Sequence, residues 1–110
     1  MTWRLHLDDQ AGDPGVEAFR NPPDDTWMVA RSSYDAIKMI DWLGPPCYIS
    51  FDHDLATLEN GEPDTAMKVI NYLIENHYYA EIDYDVHSQN PIGRLNIIAK
   101  MDSWKKSKSL

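Results

Sequence analysis

The chain has 110 residues, 43% of them hydrophobic, with Lys+Arg 10 against Asp+Glu 18 and a formal charge of -8. That length holds one core, and the composition argues for a folded chain whose negative balance opposes adherence to long nucleic acid or an anionic membrane. The single Cys47 excludes a disulfide framework and points to the cytoplasm, and no apolar run approaches the ~20 residues that cross a bilayer.

Trp3 to Leu7 alternates and runs into Asp8-Asp9, which predicts a first strand. Gln10 to Asp25 contains Gly12, Gly15, Pro14, Pro22 and Pro23 without a sustained period and reads as a long loop, with at most a helical turn at Val16 to Phe19. Trp27 to Ala30 is a second short strand ending at Arg31. Ser32-Ser33-Tyr34-Asp35 reads as a helix start; Ala36, Ile37, Ile40 and Leu43 share one face before Gly44-Pro45-Pro46 stops the helix. Cys47 to Phe51 is rich in β-formers and predicts a buried strand that ends in Asp52-His53-Asp54.

Ala56 to Pro63 reads as a polar loop. Asp64 is then expected to cap a helix carrying Ala66, Val69, Ile70, Leu73 and Ile74 on one stripe and reaching about His77. Ile82 to Val86 is the last strand. Asn90-Pro91 suits the cap and first position of a third helix, with Leu95, Ile98 and Ala99 inward, an end near Trp104 and a frayed tail from Lys105 to Leu110. Strands alternating with helices imply an α/β fold of about four mostly parallel strands and three helices, joined by right-handed crossovers in one domain over residues 1–110.

Three of these strands end in ionisable or polar groups, and an open parallel sheet binds its ligands beyond the carboxyl ends of its strands. Asp8, Asp9, Asp52 and Asp54 supply hard oxygen ligands of the kind Mg²⁺ or Mn²⁺ takes. His53 and His87 titrate near neutrality and suit an acid and base flanking a phosphorus centre, or else ligands for a softer ion. The turn around Ser88 and Asn90 opens a helix whose unpaired N–H groups can hold a phosphate, although capping alone also accounts for Asn90. Arg20 and Arg31 suit bidentate phosphate contacts, and Asn96 lies six residues beyond Asn90. His6 and His77 read as structural, and Trp27 and Trp42 as core. Ser88 has no third partner for a hydrolytic triad.

Together, Leu7-Asp8-Asp9, Arg20-Asn21-Pro22-Pro23, Trp27, Arg31-Ser32, the Ile49 to Leu55 block with its Asp-His-Asp-Leu, and His87-Ser88-Gln89-Asn90-Pro91-Ile92-Gly93 with Asn96 resemble the cyclic-phosphate processing receiver-like domain. This is a Rossmann-like family of bacteria and phages. The resemblance implies a small three-layer receiver-like fold, with Asp8, Asp9 and Asp52 at the family's acidic positions and His53 and His87 at its histidines. It also implies a small phosphate-bearing nucleotide as ligand. Two departures stand out: Gln10 to Phe19 intervene before Arg20, and Ala56 stands where the family often has glycine.

The expectation is metal-assisted hydrolysis of a cyclic nucleotide or cyclic phosphate, with His53, His87 and Asp52 catalytic and Arg20, Arg31, Ser88, Asn90 and Asn96 holding the ligand. A binding module that sequesters a cyclic nucleotide signal, as in phage counter-defence, is one rival. A phosphoacceptor receiver using Asp52 is another, weakened by the missing fifth strand.

Overall fold

Among residues 3–56, 58, 60–77 and 80–108, which the computed structural model describes, the elements follow in chain order. They are β1 (Arg4–Leu7), a 3₁₀ turn (Ala18–Arg20), β2 (Met28–Ala30), α1 (Ser33–Leu43), β3 (Tyr48–Phe51), β4 (Asp54–Leu55), β5 (Asp64–Thr65), α2 (Met67–Asn76), β6 (Asp83–Val86) and α3 (Pro91–Lys108). β1, β2, β3 and β6 form one parallel sheet in the order β2-β1-β3-β6, and β4 pairs with β5 antiparallel. This is the receiver-like α/β arrangement, with four parallel strands and three helices. No described helix is long and apolar enough to cross a membrane.

Strand alternation decides the layers. Leu5, Leu7, Ile49 and Phe51 are fully buried and share one core with Ile40 of α1, Ile70 and Leu73 of α2, and Ile97 and Met101 of α3. Each such side chain contributes about 1.5–3 kcal/mol. The other sheet face is polar: its register sets His6 beside Ser50 and Ser50 beside Asp85. Right-handed crossovers out of β2 and β3 put α1 and α2 on one side, while the chain from β1 to β2 runs in the opposite direction and crosses the polar face. The third layer is therefore thin, built from the segment that holds the 3₁₀ turn.

Several sequence expectations shift. Asp64 does not cap α2, whose N-cap is Ala66 with no side-chain bond. The buried Asp64 carboxylate instead accepts the Ser33 N–H at 2.9 Å and the Ser33 hydroxyl at 2.6 Å, so it caps α1 across the fold. It can do so because β5 pairs with β4 and pins the end of the loop running from Ala56 to Pro63, of which Thr57 and Glu59 lie outside the described residues.

α3 turns a different face inward from the one expected. Gly93, Ile97, Met101 and Trp104 are buried; of the residues expected inward, Ile98 is partly buried against the core, whereas Leu95 is 65% exposed and Ala99 is exposed. Gly93 sets this phase, because it packs on the His53 ring where a Cβ would lie 2.4 Å from Cγ. Spacings of four, four and three residues from Gly93 then define the inner stripe. α3 also continues past Trp104 to Lys108, its Lys105 donating to the Ile82 carbonyl at 2.8 Å. The frayed tail expected from Lys105 is therefore helical as far as it is described, and Ser109 and Leu110 lie outside. Trp42, expected in the core, is 85% exposed on α1.

Candidate functional site

Because side chains two apart on a strand share a face, His6 and Asp8, Ser50 and Asp52, and Asp85 and His87 form three such pairs on adjacent parallel strands. The ladder continues one residue past each strand. Asp8 N–H reaches the Ala30 carbonyl at 3.1 Å, Asp52 N–H that of Leu7 at 2.9 Å, and His87 N–H that of Phe51 at 2.9 Å. Backbone pairing thus holds Asp8, Asp52 and His87 in a row at the carboxyl edge of the sheet.

Asp8 is fully buried and completely engaged. Oδ2 accepts from His87 Nε2 at 3.0 Å and Oδ1 from the Gln10 N–H at 2.8 Å. Arg20 Nη1 lies 3.4 Å from both Asp8 oxygens and 3.3 Å from Asp52 Oδ2. Burial pushes the Asp8 carboxyl upward, but the bonds from His87 and Gln10 outweigh it and leave the pKa below the ordinary carboxylate value. Asp52 goes the other way, raised by burial and then by the charge of Asp8. Asp9 is raised for the same two reasons, in the same order.

On its far side, the His87 ring meets Ser50 Oγ at 2.9 Å through Nδ1, and Ser50 donates its proton to Asp85 at 2.5 Å. With that proton spent, Nδ1–H of His87 donates to Ser50, and the chain Asp85–Ser50–His87–Asp8 is complete when both ring nitrogens carry protons. His6 stacks on His87, with centroids 4.7 Å apart and planes 5° from parallel. Its Nε2 donates to the Arg20 carbonyl at 2.8 Å, and burial lowers its pKa, which suits this neutral tautomer. His6 therefore ties the Arg20 segment to the sheet.

Two sets of side chains come close enough to share an ion: Asp8, Asp9 and Asp52, and His6, Asp8 and His87, with ligand atoms in each set within 4.8 Å of one another. The first fits a Mg²⁺ or Mn²⁺ ion, since all its donors are hard oxygens. The second does not fit. Parallel stacked imidazoles cannot both aim an in-plane lone pair at one ion, and both His87 nitrogens are already engaged.

Beside the first set opens a cleft of ≈ 350 Å³, bordered by Asp9, Arg20, Asp52, Asp54, Ser88 and Asn90. Asp54 stands apart from the acidic trio: it accepts from the Asn90 amide at 2.9 Å and meets His53 Nδ1 at 2.9 Å, contacts that hold its pKa down. Asn90 also caps α3, its Oδ1 taking the Gly93 N–H at 3.0 Å, while Ser88 Oγ accepts the Asn90 N–H at 3.1 Å.

His53, Arg31 and Asn96 are not brought to the acidic edge, and the buried Asp8 with its partner His87 does not itself border the cleft. His53 follows Asp52, so its side chain turns toward the helix layer and packs on Gly93. Arg31 latches the neighbouring loop, binding the Asp9 carbonyl at 2.6 Å and Asp13 at 2.8 Å. Asn96 is exposed on α3 and does not border the cleft.

The family model described as Cyclic-phosphate processing Receiver domain matches residues 3–103. The chain belongs to this family. No curated protein and no solved structure matches it. The segment Gln10 to Phe19 leaves Arg20 at the cleft, bonded to Asp52.

Proposed function

We propose that the chain hydrolyses a cyclic phosphate ester at the carboxyl edge of its sheet. The observation that carries this reading is the meeting of Asp8, Asp9 and Asp52, with ligand atoms within 4.8 Å, beside the Arg20 guanidinium in a family described by cyclic-phosphate processing. Four carboxylates around one arginine would repel a phosphate. A divalent cation on Asp8, Asp9 and Asp52 reverses that field, and when bound it neutralises charge on the phosphoryl oxygens and makes water a better nucleophile. Arg20, at the wall of the cleft, supplies planar donors to the same oxygens. His87, fixed between Ser50 and Asp8, exchanges a proton with the opening ring ester only by giving up its Nε2–H bond to Asp8, since Nδ1–H is held by Ser50.

The test is turnover of 2′,3′- and 3′,5′-cyclic nucleotides with Mg²⁺ or Mn²⁺. His87→Ala and Asp52→Asn should each lose ~10² to 10⁴ in rate while remaining folded. A His87→Ala protein with full turnover removes the assigned role.

Binding without cleavage is the second reading, and the position of His53 favours it. His53 packs on Gly93 and does not reach the acidic edge beside His87, so the His53–His87 acid and base pair expected from the sequence is incomplete. Mass spectrometry of a ligand recovered intact after prolonged incubation with protein and metal would establish sequestration in place of hydrolysis.

A further inference from the structure

A second cavity, of ≈ 450 Å³, lies on the polar face of the sheet and is walled by Phe19, Trp27, His6, Ser50 and Asp85 among others. Its volume falls within the range of small-molecule sites. It is separate from the cleft at the strand ends, but the same short segment divides the two: Phe19 walls the cavity, and its chain neighbour Arg20 walls the cleft. The row His6, Ser50, Asp85 lies one period before the row Asp8, Asp52, His87, about 7 Å along parallel strands. A molecule with an anionic end in the cleft and a planar end over the sheet spans that step.

The wall chemistry suits a planar nitrogenous ring. The Trp27 and Phe19 rings belong to an aromatic arc with His6 and His87: Trp27 meets His6 edge-on at 6.4 Å, His6 stacks on His87, and Phe19 lies 6.3 Å from His87. The exposed Asp85 carboxylate borders the cavity; its oxygens already accept from Ser50 and Tyr48, and their remaining lone pairs can take a ring N–H. Two residues of the wall keep a buried polar atom without a hydrogen-bond partner, Nε1 of Trp27 and Nδ1 of His6, one a donor and the other an acceptor in the tautomer His6 adopts. Phe19 is 38% exposed although its ring faces this site, as a stacking platform requires. It ends the segment Gln10 to Phe19, which departs from the family pattern.

We propose that this cavity holds the nucleobase of a nucleoside phosphate whose phosphate occupies the neighbouring cleft, so that the Gln10 to Phe19 segment builds a base-recognition wall. The proposal rests on the reading of that cleft as the phosphate site. Base stacking on an aromatic side chain corresponds to about 5- to 150-fold in affinity.

Calorimetric titration of the full chain with Mn²⁺ tests it, using 3′,5′-cyclic GMP, 3′,5′-cyclic AMP, ribose 5-phosphate and free guanosine as probes. At least one cyclic nucleotide should bind tenfold or more tightly than ribose 5-phosphate, and Phe19→Ala should shrink that ratio about tenfold. Trp27→Leu, checked for folding by thermal melting, should do the same. Equal affinities for nucleotide and ribose 5-phosphate overturn the base pocket, as does a ratio that survives both substitutions, or the failure of every probe to bind. Guanosine that binds and loses affinity in Phe19→Ala, while no phosphate adds to it, keeps the pocket and overturns the reading of the cleft.

Discussion

Gly93 and His53 are in contact so close that a Cβ at position 93 would lie 2.4 Å from Cγ and 2.6 Å from Nδ1 of the imidazole. That contact joins the residue after Asp52 to the first turn of α3 and sets which side of the helix faces the core. Gly93→Ala should cost about 1–3 kcal/mol by overpacking. His53→Ala in the same chain should recover most of the loss, giving a coupling of opposite sign in a double-mutant cycle read by urea denaturation. Additive losses would mean that the ring and the glycine do not meet.

The Asp64 carboxylate joins the hairpin strand β5 to the N-terminus of α1 through two buried bonds to Ser33. Asp64→Ala leaves the Ser33 amide and hydroxyl without this acceptor, a loss of about 1–3 kcal/mol. The local cap, Ser32 to the Asp35 N–H at 3.0 Å, is exposed, and Ser32→Ala should cost nearer 1 kcal/mol. The order of the two denaturation midpoints checks the assignment. A larger loss in Ser32→Ala would place the main cap on the neighbouring side chain.

Period decides what could be read from the residues alone. The strands and the α2 stripe were legible because alternation and the 3.6-residue repeat are local, and so was the row of Asp8, Asp52 and His87, which terminate their strands. α3 was misphased because its orientation depends on a tertiary contact, Gly93 on His53, that no helical wheel contains. The same alternation that turns Asp52 toward the polar face turns His53 away from it, so the two neighbours were never equivalent. His6 looked structural in isolation; its role emerges only once β1 and β6 are two strands apart in the sheet and its ring meets His87. The Asp64 cap depends on β4 pairing with β5, and strands of two residues leave almost no sequence signal.

Arg20 takes the position between Asp8 and Asp52 that a cation would share, and its side chain is 14% exposed. Arg20→Gln removes the cation that bridges these two buried carboxylates, which should destabilise the metal-free protein by about 3–5 kcal/mol. Mn²⁺ binds only the folded site and should restore part of that loss, so its addition should raise the Tm of the variant more than that of the wild type. Equal Tm shifts in the two proteins, or none in either, would remove the acidic trio as a cation site.

Tyr84 of β6 donates its hydroxyl to Asp102 of α3 at 2.6 Å, tying the last strand to the last helix. Burial raises the phenol pKa well above its ordinary value of 10.0, with the Asp102 hydrogen bond and charge adding to the rise. The folded state therefore keeps the phenolic proton at a pH where the unfolded chain has released it. The contribution is full below about pH 10 and is lost as the pH climbs toward the raised folded value. Tyr84→Phe lacks the titrating group, so its stability should fall less steeply than that of the wild type above about pH 10. Asp102→Asn removes the charge and should lie between the two. Urea midpoints across this alkaline range measure the slopes. Parallel curves for wild type and Tyr84→Phe would show that the strand and helix are not coupled through this proton.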